Sequence, residues 1–202
     1  MRGEFVSYTS ENMTERFLLL ALFFASLLLW VILNGRAGKY DFKTVLDRFV
    51  PFVPLFALIY LSAYALVPLG IAFLIFSPYG TVYLVTINIV MFSAAVSWFL
   101  FPTISFRPDL PEHGILFRNL VFRAYEGNTH GNGFPSSHVM TSFVTAYYLA
   151  FAYPSAWYAF YGMASLIALS TMTIKQHRVA DVLAGMLWVV VVIALVQYGA
   201  AM

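Results

Sequence analysis

The chain has 202 residues, of which 61% are hydrophobic and only 10% charged, with a net charge of +2 and no cysteine. Those proportions exclude an ordinary soluble domain and point to an integral membrane protein. The missing cysteines exclude a disulfide scaffold, a thiol nucleophile and a thiolate metal site, and no nucleic-acid partner is expected.

Charge is absent from residues 17–35, 49–106 and 127–174, and residues 179–202 carry a single acid. A bilayer crossing needs about 20 apolar residues, so these windows hold six helices. The first is expected at 17–34; it starts too late and runs too long for a cleavable signal peptide, and a charged connector, 35–48, follows it. The second is expected at 51–76, bent by Pro54 and Pro68 and ended by the turn at 77–80, and the third at 81–101. A long polar loop, 102–134, comes next, in which 113–127 interleaves apolar and basic residues as an interfacial helix would. The fourth helix spans 135–153 with Pro135 at its first helical position, the fifth 156–173, and the sixth runs from 179 nearly to the C-terminus after a short basic link, 174–178. The expectation is an all-α bundle of six transmembrane helices forming one domain over 1–202.

Six crossings put both termini on one side, and nine of the eleven Lys and Arg residues with all four histidines on the other. On that face three stretches carry chemistry. Pro135, Ser136, Ser137 and His138 open an uncharged helix, where free N–H groups and two hydroxyls favour an anion and an imidazole can move a proton. His177 and Asp181 lie four apart on one helical face, so a ring nitrogen bonded to the carboxylate leaves the other free to attack. Lys175 and Arg178 flank that pair as a phosphoryl site requires. Arg107, in a proline-stiffened loop, can grip phosphate oxygens through two bonds. His113 and His130 are read as ordinary loop histidines.

In this order the residues resemble the type 2 phosphatidic acid phosphatase superfamily, six-helix enzymes with motifs Lys-x6-Arg-Pro, Pro-Ser-Gly-His and Ser-Arg-x5-His-x3-Asp. Here these appear as Arg107-Pro108, Pro135-Ser136-Ser137-His138, and Ser170 with His177 and Asp181. The resemblance implies that His177 is a nucleophile forming a phosphohistidine, Asp181 orients it and His138 protonates the leaving group. Arg107, Ser136 and Ser137 would hold the phosphate, and neither metal nor other cofactor is implied. Leu100, Ser137 and Thr171 occupy the positions of the motif lysine, glycine and arginine. Lys175, Arg178, Arg118 and Arg123 are the candidates to replace the two missing cations. Loss of the motif-three arginine, with the stretch DRFVPFVPLFALIY at 47–60, is similar to the branch containing inositol phosphorylceramide and sphingomyelin synthases.

The expected activity is hydrolysis of a lipid phosphate, of the phosphatidate or polyprenyl diphosphate class, that slides in from the surrounding membrane lipids. Transfer of a headgroup to a lipid alcohol, or lipid binding without turnover, are the alternatives. A two-histidine, one-carboxylate metal site formed by His138, His177 and Asp181 is another. Two Lys or Arg residues on the side of the termini against nine opposite would place the polar face in the cytoplasm by charge bias. The resemblance implies an external site on a plasma or inner membrane.

Overall fold

A computed structural model describes residues 13–34, 36–104, 107–108, 115–126 and 132–201. His113 and His130 lie outside the described residues, as do 105–106, 109–114 and 127–131 of the polar loop. Among the described residues there are seven α-helices and no strand, only an isolated parallel bridge between Tyr40 and Thr103. The helices are α1 (Met13–Leu33), α2 (Ala57–Leu74), α3 (Gly80–Leu100), α4 (Ile115–Glu126), α5 (Ser137–Ala152), α6 (Trp157–Thr173) and α7 (Val179–Ala201).

Four segments are long and apolar enough to cross a membrane: Met13–Leu33, Pro54–Leu74, Gly80–Leu100 and Val179–Gly199. The other two expected crossings are shorter. Sixteen residues in α5 and seventeen in α6 reach only ~24–26 Å at 1.5 Å per residue, less than the ~30 Å of a hydrocarbon core. Helix α5 is also buried by protein more than by lipid. Ser137, His138, Thr141, Ser142 and Thr145 are all buried along it, because α2, α3, α6 and α7 pack around it. Polar side chains in that position meet one another instead of hydrocarbon. The Tyr83 hydroxyl lies 3.1 Å from Thr145 Oγ1, and Tyr148 bonds Thr86 at 2.7 Å, so α3 and α5 are joined by hydroxyls at mid-bundle.

The second helix begins later than its apolar run. Residues 51–53 form no helix and Pro54–Phe56 make one 3-10 turn before α2, while Pro68 sits inside α2 without ending it. Residues 113–127 contain α4, but it is no free surface helix: Val121 and Ala124 are buried against Ala57, Tyr60 and Ile174.

Contacts between loops show how the helix ends are sorted. The carbonyl of Pro102, just after α3, accepts from the N–H groups of Lys39 and Tyr40, after α1. Val53 N–H donates to Thr173 O at 3.0 Å, and Ser136 N–H to Asp181 O at 3.1 Å. The ends of α1, α3 and α6 thus meet the starts of α2, α5 and α7. At the opposite end Arg16 is buried, its guanidinium donating to Thr81 Oγ1 at 3.2 Å and to the Ile75 carbonyl.

Close approach of α2 to α5 depends on Gly70, where an added Cβ would stand 2.2 Å from Thr145 Cγ2. Rotating Thr145 away would break its bond to Tyr83. Gly70→Ala should therefore lower stability by about 1–3 kcal/mol. Gly162→Ala, on α6 with nothing within 4 Å, should be neutral or stabilising by up to about 1 kcal/mol. Thermal unfolding of both variants in one detergent checks the contrast.

Candidate active site

Every site residue expected from the sequence falls at the end of the bundle where the six long helices' polar ends meet. Ser137, not Pro135, is the first residue of α5, and Ser136 is its N-cap. The Ser136 backbone is extended, its hydroxyl accepts from Val139 N–H at 3.5 Å, and Pro135 stands just outside the helix. This correction moves each residue by two places. Ser137 and His138 become the first two helical residues, and their N–H groups remain available at the positive end of the dipole.

His177 lies in the link between α6 and α7. Lys175 adopts a left-handed backbone, φ 59°, which lets the N–H groups of Gln176 and His177 both donate to Thr171 O. His177 Nδ1–H donates to the carbonyl of Gly133 at 2.9 Å, with Asp181 Oδ2 at 3.5 Å from the same nitrogen. A carbonyl can only accept, so it fixes the proton on Nδ1 and leaves Nε2 with its lone pair. Orientation by Asp181 alone, expected from the sequence, gives way to this joint arrangement. Asp181 Oδ2 also accepts from Arg178 N–H at 2.8 Å, whereas buried Oδ1 has no hydrogen-bond partner among the described residues. Gly185 lets α7 pass this close to α5, since a Cβ there would stand 3.2 Å from Ser136 O.

The His138 ring is 5.7 Å from that of His177, centroid to centroid, and both residues are 8% exposed. Two tyrosines on α2 complete its surroundings. Tyr60 packs on the ring at 4.6 Å and Tyr64 meets it edge-on at 5.5 Å, its hydroxyl 3.4 Å from Nε2. Sequence reasoning missed both, although two tyrosines four apart on an apolar helix were a readable signal. Among the described residues no three His, Asp or Glu side chains converge as a metal site.

Arg107 lies with its guanidinium over the Tyr125 ring, 4.7 Å from the centroid, and burial pulls its pKa below the ordinary arginine value, partly offset by Tyr125 and Tyr60. Tyr125, whose phenol burial pushes up to about 12, donates to Ile174 O at 2.6 Å, and Gln176 Nε2 donates to Ala124 O. Helix α4 is thereby fastened over the link that carries His177. A continuous set of contacts runs from Arg107 through Tyr125 and Tyr60 to His138 and His177.

The two basic residues beside His177 are directed elsewhere. Arg178 forms a two-pronged pair with Asp41, at 3.2 and 3.3 Å, and Lys175 donates to the Val50 carbonyl, with burial holding its pKa below the usual lysine value against the pull of Asp47. Arg123 is exposed and pairs with Glu126, and Arg118 is exposed. Thr171, at the position of the motif arginine, is fully buried with its hydroxyl on Ala168 O, and Ser170 likewise bonds Ile167 O.

Asp47 holds the first loop to this site. Its carboxylate accepts from Thr44 N–H at 2.6 Å, from Thr44 Oγ1, and from Val179 N–H at 2.9 Å at the start of α7. Burial alone would raise its pKa, but these bonds and Arg178 outweigh it and hold the carboxyl below its ordinary 3.8. A depressed folded-state pKa contributes stability that is present above 3.8 and lost as pH falls through the folded value. Asp47→Ala should cost about 1 kcal/mol at neutral pH. The difference from the parent should close at more acid pH, as measured by unfolding at a series of pH values.

The model of the PAP2 superfamily matches residues 79–201, from just before α3 to the end of α7, without assigning the chain to the synthase branch. No curated protein and no solved structure matches. The matched segment is over half the chain and contains Arg107, His138, His177 and Asp181, so the protein belongs to the PAP2 superfamily.

Proposed function

We propose that this chain is an integral-membrane lipid phosphate phosphatase with six crossings, α5 and α6 completing the four longer spans, and with a phosphohistidine intermediate. The observation that carries the reading is the pair of imidazoles 5.7 Å apart, one with Nδ1 committed to Gly133 O and Nε2 left nucleophilic. The alternation of helix ends supports six crossings, because each long helix starts at the end where the previous one did not.

In the proposed reaction the phosphate lies against the N–H groups that open α5, beside Ser136 and Ser137, with Arg107 approaching from the α4 side. His177 Nε2 attacks phosphorus, the P–O bond to the lipid breaks, and His138 gives its proton to the departing oxygen. Asp181, 3.5 Å from Nδ1, stabilises the imidazole as positive charge develops. Water then attacks phosphorus, His138 takes its proton, and the P–N bond breaks to release inorganic phosphate. Positioning and charge stabilisation supply most of the rate. Lys175 and Arg178, tied to Val50 and Asp41, add positive potential beside the link without gripping the phosphate. A lipid alcohol in place of water would make the same site a headgroup transferase; the substrate is of the phosphatidate or polyprenyl diphosphate class in either case.

Purified protein should release phosphate from one or more members of a panel of phosphatidate and polyprenyl diphosphates. His177→Ala should reduce the rate by roughly 10³-fold or more, and His138→Ala by about 10²–10⁴-fold. Acid-labile, alkali-stable label on His177 from a phosphorus-labelled substrate would mark the intermediate, and no turnover across the panel by folded protein would sink the enzyme reading. New phospholipid in place of phosphate, on adding a lipid alcohol, identifies transfer.

The site is proposed to face away from the cytoplasm. Lys39 is exposed at that end and the chain has no native cysteine. Lys39→Cys should accordingly react with a membrane-impermeant maleimide in intact cells; reaction only after permeabilisation would reverse the orientation.

A further inference from the structure

The helix pair α1 and α2 leaves a cleft that the phosphoryl-transfer site alone does not require. Helix α1 packs on α3, and α2 on α5 and α6, so the two are splayed along one side of the bundle. Between them lies a cavity of about 460 Å³. Its walls are apolar, with Phe23, Phe24 and Leu27 on α1 facing Ala63, Val67 and Ile71 on α2. Its polar groups are Tyr64, Ser137, His138 and Thr141, at the end of α5 that carries the site.

The geometry points to this cleft as the seat of one hydrocarbon chain of the lipid phosphate, entering from the bilayer between α1 and α2 with the headgroup end against His138. The assignment rests on the reading of His138 and His177 as a lipid phosphate site. Three observations select that occupant. A water-soluble ligand would find no polar partner along the apolar walls. Phe24 and Val31, which line the cleft, are also exposed on the outer side of α1, so the cleft is continuous with the apolar outer surface of the bundle. And His138 Nδ1, on a side chain 8% exposed, has no hydrogen-bond partner among the described residues, so a buried polar group that lines the cavity awaits a ligand's.

Along α1 the lining extends from Leu20 to Val31, about 16 Å of helix. A chain moving into it from the bilayer exchanges one apolar surround for another, so selection follows shape and contact with the walls more than hydrophobic transfer. Most of those walls, α1 and α2, precede the family-matched segment 79–201. The structure thus separates the residues that choose the chain from those that handle the phosphate.

The test uses the full chain in phosphatidylcholine vesicles with a phosphatidate carrying a diazirine at the far end of one acyl chain. After irradiation, adducts should concentrate on Phe24, Leu27, Val67 and Ile71. They should fall at least five-fold in Ala63→Trp, which fills the cleft, and persist in His177→Ala, which removes the proposed nucleophile. If Ala63→Trp does not fold, Val67→Phe serves the same purpose. Adducts spread evenly over lipid-facing Leu166, Leu187 and Val190, or unchanged by filling the cleft, would overturn the assignment. Because labelling needs no turnover, a protein that labels in the cleft but releases no phosphate would contradict the phosphatase reading and leave the chain site standing.

Discussion

The N–H of Ser136 donates to the carbonyl of Asp181 at 3.1 Å, joining the start of α5 to the first turn of α7 through the main chain. A backbone donor at a buried helix start needs an acceptor, and in this environment little water is available to supply one. By taking its acceptor from α7, α5 fixes where the link 174–178 lies, and that link carries His177. The Gly133 carbonyl, three residues upstream, is then in reach of His177 Nδ1 at 2.9 Å. Both contacts require the helices to run very close, which Gly185 permits. Gly133 itself is held by Thr103, whose hydroxyl accepts its N–H at 2.7 Å and would be struck by any Cβ there.

A second constraint is electrostatic. Two cations flank His177, and each is anchored by the first loop: Arg178 by Asp41, Lys175 by the Val50 carbonyl. Asp47 caps the α7 start from the same loop. An unpaired cation near a membrane boundary is costly, so its side chain turns to the available acceptors. The consequence is a link held from one side by loop acids and from the other by α4, through Tyr125 and Gln176. The imidazole of His177 is thus supported on both flanks by contacts that do not consume its Nε2.

Much of this was legible in the sequence because charge exclusion is a strong signal. The uncharged windows locate the six long helices, and the third, at 81–101, is matched by Gly80–Leu100. The residues that converge were legible for the same reason: His138, His177 and Asp181 stand at the edges of uncharged runs, and the structure brings them together. Other features left no local trace. The Gly133 carbonyl is backbone, identical at any residue. The Asp41–Arg178 pair joins residues 137 apart, beyond any periodicity. Charge spacing alone suggested that Lys175 and Arg178 were free to grip phosphate. The displaced helix start at Ser137 reflects a different limit, since Pro-Ser-Ser suits either proline at the first turn or serine as the cap, and the chain uses the cap.

Residue 79 marks a division in how the protein is built. The segment after it holds Arg107, His138, His177 and Asp181, yet part of their surroundings comes from residues ahead of it. His138 rests on Tyr60 and Tyr64 from α2, the α7 start on Asp47, and Arg178 on Asp41. Support for the site therefore comes from both parts of the chain. Substitutions at Arg107, His138, His177 and Asp181 change the candidate site's own side chains, whereas those in α2 and the first loop act through position: how far His138 is pressed toward His177, and how the start of α7 is held. In the proposed reaction, a side chain on α2 that moves the His138 ring by even 1 Å would change proton transfer without touching phosphorus. For that reason α2 and the first loop belong to the candidate site as much as the histidines do.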